Sequence, residues 1–290
     1  MRLEQQYFGF QTARHWVVIG LLWILSYSAH SISSIPAACE GVKEGLIACY
    51  PFDGNTSDLS GKNYHGVATN ITYVTGQTGQ AAHFDGKTSY VEIANNPDLN
   101  SQQISFSAWV KPVIELNSQT NLNNHHIIFN KELQYELAIF NRPAENNLRA
   151  GELSFSFISN WGWITTGYFP IPNKFIHVAL VFTKENVAKL YVDGKVVKEE
   201  KYLSPLGASR NFCMRIGARH CPDLAGAFFN GDIDEFRIYN RELSETEVKQ
   251  LAGVESIPAP VNNSIANNSI PTVPSTANLC NLVPDNLVAC

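Results

Sequence analysis

The stretch that decides the fold is Gly231 to Leu251, GDIDEFRIYNRELSETEVKQL. Asp232, Asp234, Phe236 and Ile238 alternate with Ile233, Glu235, Arg237 and Tyr239. Side chains on a strand point to opposite faces with a period of two. The segment therefore predicts a strand with two carboxylates at its start and an apolar pair further along the same face. Asn240-Arg241 interrupts it. Ser244 then reads as a helix N-cap, with Glu247 placed to complete a capping box. Gly253 and Pro258 stop that helix early.

Upstream, one strand pattern follows another. Gly45–Phe52 is apolar, and Gln80–Asp85 and Ser89–Ile93 flank a turn at Gly86. In Ile104–Val110, Phe106, Ala108 and Val110 alternate with Ser105, Ser107 and Trp109. Phe175–Thr183 places Ile176, Val178, Leu180 and Phe182 on one face. Leu190–Val197 carries Asp193-Gly194 between apolar runs, the strongest short hairpin signal. Asn117–His126 reads as a solvated polar loop, the paired His125 and His126 included. No amphipathic helix of ordinary length precedes residue 242. The expectation is an all-β, two-sheet antiparallel sandwich of about a dozen strands or more, with a short C-terminal helix.

The 290 residues are 44% hydrophobic and 16% charged, with a net charge of −5. A sizeable core is available, and the charge argues against nucleic acid or an anionic membrane as partner. Residues 1–30 read as a signal peptide: Arg14 and His15 precede the apolar run Trp16–Leu25, and the small residues Ser26, Ser28 and Ala29 follow. The run is shorter than the roughly 20 residues that a membrane span needs. No membrane insertion is expected once it is removed, which puts the protein outside the cell, secreted or at the cell surface.

Six cysteines suit an oxidising compartment. Cys39 and Cys49 are ten apart, Cys280 and Cys290 ten, and Cys213 and Cys221 eight. Three local bridges are the simplest pairing. No C-x-x-C favours zinc.

The first and last pairs frame a repeat. Cys39, Val42, Leu46, Ala48 and Cys49 match Cys280, Val283, Leu287, Ala289 and Cys290 at a constant offset. The expected organisation is a domain over 31–252, a Pro/Asn/Ser-rich linker over 253–278, and at 279–290 the truncated start of a second, similar module.

Taken in order, these pieces resemble the LamG-like jellyroll domain, the laminin G branch of the concanavalin A-like lectin/glucanase superfamily. They are Leu46–Asn55 with Asp58–Gly66, Gly79–Gly86 with Tyr90–Ile93, Ile104–Pro112, His177–Phe182, Leu190–Lys195, Ile216–Ala218 and Gly231–Leu243. The resemblance spans about residues 40 to 252 and implies a two-sheet antiparallel jellyroll, often calcium-bound.

Glucanases of that superfamily carry an E-x-D-x-x-E pattern, and a retaining mechanism needs two carboxyls about 5 Å apart. Asp232-Ile-Asp-Glu235 lacks the leading glutamate, so no catalytic residue is expected. Calcium takes six to eight oxygens. Asp53, Asn55 and Asp58 follow the first strand, Asp232 and Asp234 lie on the closing strand, and such strands tend to be neighbours. These five are the candidate calcium ligands, against turn chemistry for the first three and a buried hydrogen bond for Asp234. Trp161, Trp163 and Tyr168 form the densest aromatic patch, suited to stacking on a sugar ring or to core packing. The functional expectation is a secreted, non-catalytic recognition module that binds glycan or an extracellular protein, within a multi-module chain. A structural spacer in an adhesin and a glucanase-like hydrolase stand as alternatives.

Overall fold

A computed structural model describes residues 39–114, 125–140, 149–157, 162–206 and 211–254. The predicted signal peptide, the linker beyond Val254, the Cys280/Cys290 pair and Trp161 lie outside the described residues.

The strands in chain order are β1 (Leu46–Tyr50), β2 (Val67–Thr69), β3 (Thr72–Thr75), β4 (Gln80–Asp85), β5 (Tyr90–Ile93), β6 (Ile104–Pro112), β7 (His125–Lys131) and β8 (Tyr135–Phe140). They continue as β9 (Leu153–Phe157), β10 (Ile164–Thr165), β11 (Ile176–Phe182), β12 (Val187–Val192), β13 (Lys195–Lys201), β14 (Met214–Ile216) and β15 (Asn230–Tyr239). One helix, α1 (Glu245–Leu251), follows. An eight-stranded sheet runs β13-β12-β11-β6-β15-β4-β3, with β1 also on β15, and a seven-stranded sheet runs β10-β9-β8-β7-β14-β5-β2. The pairings are antiparallel. This is the two-sheet jellyroll sandwich that the sequence predicts. Among the described residues no helix is long and apolar enough to cross a membrane.

The core lies between the sheets and is dense in rings. Phe106 stacks on Phe129 with centroids 4.4 Å apart and leans on Tyr135 at 4.7 Å. Phe157 meets Phe182 at 4.7 Å, and Tyr50 and Phe236 close the other side. Such pairs add to the stabilisation from burial itself, since offset and edge-to-face rings attract through their quadrupoles.

β15 organises the eight-stranded sheet. β6 runs along one edge, while β4 takes Asn230–Ile233 and β1 takes Phe236–Tyr239 on the other. Between those halves the register slips, and Glu235 adopts φ of 50°. A bulge inserts one residue and resets the phase. The strict alternation expected from the sequence therefore fails at this point. Phe236 and Ile238 share the inward face with Ile233, and all three are buried in the main core. Asp232 and Asp234 are left on the other side.

The outward face of the same sheet is covered by α1 and the N-terminal arm. Val42, Ala179, Val181, Tyr191, Tyr239, Leu243 and Val248 form a second apolar cluster there. The capping box is present: the Ser244 side chain accepts from Glu247 N–H, and the Glu247 carboxylate accepts from Ser244 N–H at 2.8 Å. The two ends of the domain are joined at three points. Arg237 Nη1 donates to the Glu40 carbonyl at 2.9 Å, Tyr239 OH to Val42 at 3.1 Å and Arg241 Nε to Glu44 at 2.9 Å. Cys39–Cys49 staples this arm, and Cys213–Cys221 closes the segment after β14. Both bridges follow the spacing argument.

Candidate calcium and ligand sites

The turn between β3 and β4, Gly76 to Gly79, is gripped by two carboxylates from opposite ends of the domain. Asp53, in the loop after β1, accepts Gln80 N–H on Oδ1 at 2.7 Å. Asp234, on β15, accepts Thr78 N–H on Oδ2 at 2.9 Å. Glycine is required at both ends of the turn. A Cβ at Gly76 would stand 2.5 Å from Asp234 Oδ2, and one at Gly79 would stand 2.2 Å from Asp53 Oδ1. The first and last strands thus bring Asp53 and Asp234 onto one turn, as the sequence reading required.

Asp234 is fully buried, and its Oδ1 has no hydrogen-bond partner. Burial pushes its carboxyl up to about 7, the backbone N–H of Thr78 pulling the other way and the charge of Glu235 adding to the rise. Such an ionised oxygen is costly unless a cation or donor meets it. Among the described residues, Asp234 makes no ion pair with a basic side chain. The donor set around it is oxygen: two carboxylates and the carbonyls of the turn. That chemistry suits a hard cation such as calcium.

The other three predicted ligands have different partners. Asp58 is buried at 4% exposure, and both its oxygens are used. Oδ1 accepts Cys49 N–H and Ser60 N–H, each at 2.9 Å, and Oδ2 accepts Tyr64 N–H at 3.0 Å. It holds the loop after β1 against that strand. Asn55 forms an Asx turn, its Oδ1 accepting Ser57 N–H at 2.8 Å. Asp232 lies on the strand face shared with its cross-strand neighbours His83 and Lys111, at 2.7 and 2.8 Å. Glu235 pairs with Arg237 at 2.5 Å. The acidic run thus separates into an ion-paired Asp232, an arginine-held Glu235 and an unpartnered Asp234.

A second polar cluster lies on the outward face of the seven-stranded sheet. Asn130 on β7, Glu136 on β8 and Ser156 on β9 are cross-strand neighbours there. Glu136 accepts Asn130 Nδ2 at 3.0 Å and Arg219 Nη2 at 2.8 Å. Burial pushes its carboxyl up to about 7, and Arg219 pulls it back. Arg219 reaches across from the segment after β14 and sets its Cζ 5.8 Å above the Trp163 ring. Trp163 stacks on His125 at 4.8 Å and meets Phe140 edge-on at 5.1 Å. His125 therefore opens β7 and packs on aromatics rather than sitting in a solvated loop, and burial, aided by the charge of Arg219, lowers its ring to about 3. Tyr168 is separate from Trp163 and packs against the main core. Trp161 lies outside the described residues. The sequence reading missed Glu136 and Arg219. The available signal was Arg215 and Arg219 bracketed by Cys213 and Cys221.

Glu92, Cys213 and Cys221 also place ligand atoms within 4.8 Å of one another. The two sulfurs are bonded to each other, so they offer no thiolate for a metal.

The sequence profile of the concanavalin A-like lectin/glucanases superfamily matches residues 85–249, more than half of the chain. This chain belongs to that superfamily. Solved structures of similar fold include domain 4 of a GH43 extracellular arabinanase from Geobacillus stearothermophilus, solved with arabinotriose. It is 24% identical with a TM-score of 0.54, over 71% of this chain and 98% of that one. The binding domain of Paraclostridial Mosquitocidal Protein 1 is 18% identical with a TM-score of 0.58, over 72% and 52%. A botulinum neurotoxin type C structure, whose cell entry depends on two ganglioside molecules, is 16% identical with a TM-score of 0.53, over 73% and 51%. This superfamily member thus spans about half the length of the toxin chains and nearly the whole of the arabinanase domain. No curated protein sequence matches it.

Proposed function

We propose that this superfamily member is a secreted, non-catalytic module that recognises extracellular glycan, with calcium locking its first and last strands. The observation that carries the reading is the buried Asp234 Oδ1, partnerless beside the turn that Asp53 also holds. Asp53, Asp234 and carbonyls of the turn would hold the ion. Bound there, calcium supplies charge compensation and a bridge between the two ends of the sequence. Two disulfides fit folding in an oxidising compartment. The repeated cysteine frame at 280–290 supports a further module of the same kind. The glycan-related titles of similar structures support the ligand class, since the arabinanase domain was solved with arabinotriose.

The non-catalytic reading rests on how the carboxylates are occupied. On the outward face of the seven-stranded sheet, Glu92 is held by Arg215, Glu132 by His220 N–H and Glu136 by Arg219. The test uses the full chain on a glycan array with millimolar calcium and with chelator, beside an assay for new reducing ends. The expected result is glycan capture without hydrolysis, reduced by chelator. No capture by the folded, calcium-loaded chain makes it a spacer, and released sugar makes it a hydrolase.

A further inference from the structure

Asn130, Glu136 and Ser154 project outward from three adjacent strands, as their cross-strand pairing requires, yet they are 0%, 2% and 0% exposed. The cover over Glu136 includes the Arg219 side chain, which is itself 22% exposed and lies between that carboxylate and Trp163. The root of that arginine is fixed. Arg215 Nη1 donates to the carbonyls of Arg219, His220 and Asp223 at 3.0, 3.1 and 3.0 Å, and Cys213–Cys221 closes the segment. Only the outer part of the Arg219 side chain is free to swing.

This buried patch is unfinished. Asn130 Oδ1 lacks a donor, Arg219 Nε lacks an acceptor, and Ser154 Oγ lacks either. Native interiors leave few such atoms, and each one calls for an explanation. A partner for all three must both donate and accept, which is the chemistry of hydroxyl groups. A cation is opposed by Arg219 and an anion by Glu136, so the partner is uncharged. Trp163 is only partly buried and offers an indole ring to the apolar C–H face of a ring-shaped ligand. His125 and Phe140 brace that indole at 4.8 and 5.1 Å.

We propose that a neutral saccharide ring binds on the outward face of the seven-stranded sheet, stacked on Trp163, with its hydroxyls completing Arg219 Nε, Asn130 Oδ1 and Ser154 Oγ. The proposal rests on the glycan-recognition reading and adds to it the ligand's charge and the face it occupies. On this reading Arg219 swings from its resting contact to admit the ring. The seat is distinct from the calcium turn, whose acids come from β15 and the loop after β1.

The test takes the full chain with millimolar calcium onto an array of neutral oligosaccharides, arabinotriose included, with acidic oligosaccharides as a second arm. The variants are Trp163→Ala, Trp163→Phe and Arg219→Ala, each first checked for an unchanged calcium-induced rise in melting temperature. The seat requires capture of neutral sugars, a loss of roughly tenfold in affinity for Trp163→Ala, as expected for one aromatic stacking contact, a smaller loss for Trp163→Phe, and a loss for Arg219→Ala. Undiminished capture by Trp163→Ala and Arg219→Ala overturns the seat while the glycan reading stands. Capture confined to acidic sugars overturns the seat likewise. No sugar captured by the wild-type chain overturns both, and then the three open atoms are satisfied by water alone.

Discussion

The turn held by Asp53 and Asp234 and the face held by Glu136 and Arg219 face the same physical problem with opposite solutions. Each buries a carboxylate, and in each burial pushes the carboxyl up to about 7. Glu136 has a guanidinium at 2.8 Å, supplied by the chain itself. Asp234 has backbone N–H on one oxygen and nothing on the other. A buried acid whose cation is built in forms part of a self-contained face that a neutral ligand can use. A buried acid without one is completed from solution. The difference explains why one domain carries a polar ligand face and a metal-seeking rim without the two competing for the same chemistry.

The sharpest way to break the comparison is to supply the missing cation. Saturating calcium should raise the melting temperature of the wild-type chain. Binding to the folded state alone gives about 2.7 kcal/mol at a hundredfold excess over Kd, or roughly 5–10 °C for a domain near 200 residues. Glu136→Gln should keep that rise, and Asp234→Asn should lose most of it. A rise that survives Asp234→Asn places the ion elsewhere.

Proton competition sharpens the same contrast. A carboxyl raised to about 7 in the fold, against roughly 4 when unfolded, favours the folded state in acid. That contribution is complete below the unfolded value and is lost as pH rises through about 7. The chelated chain should therefore lose stability between about pH 4 and 7 through these two groups. Calcium needs Asp234 ionised, so its stabilising increment should grow across the same interval. Melting curves with and without calcium, taken at several pH values, should diverge upward. Parallel curves would separate the ion from Asp234.

Next in size is Arg219→Ala, which strips Glu136 of its cation. Loss of one partner of a buried pair costs about 3–5 kcal/mol. Because the Arg219 side chain is 22% exposed, about 1–2 kcal/mol is expected after allowing for solvent screening. Chemical denaturation measures it, and adding Glu136→Gln should recover most of the loss. The smallest effect is Asp232→Asn. Its partners His83 and Lys111 are about one-third exposed, so under about 1 kcal/mol is expected, with the calcium response intact. A lost calcium response in that variant would return Asp232 to the ligand set.

Much of this architecture is readable from residue pattern. The Asp193-Gly194 hairpin, the capping box at Ser244 and Glu247, and the two short-range cystine pairs follow from local chemistry, and all are present. The phase of β15 was not readable. A bulge at Glu235 costs one residue of register and leaves no compositional mark, so Phe236 and Ile238 turned inward against the expected alternation. The strands β7 to β9 were equally obscure because their faces are buried on both sides and the period of two fades. At the calcium turn, the sequence supplied five oxygen-bearing candidates but not their prior commitments. Asp58 and Asp232 are excluded by partners that only folding brings close, at separations of up to 149 residues. Glu136 and Arg219 stand 83 residues apart, and no local pattern links them.

The joint between the arm and the closing strand has a consequence for how such a unit travels. Arg237, Tyr239 and Arg241 grip the carbonyls of residues 40, 42 and 44. Every amino acid has a carbonyl, so the residues around the joint can drift without loosening it. The chain enters and leaves the unit at neighbouring points, making it a pendant hung from a single place on its carrier. A pendant can be copied, moved or dropped into a host loop without stretching the thread on either side, and whatever thread follows sets the spacing between copies.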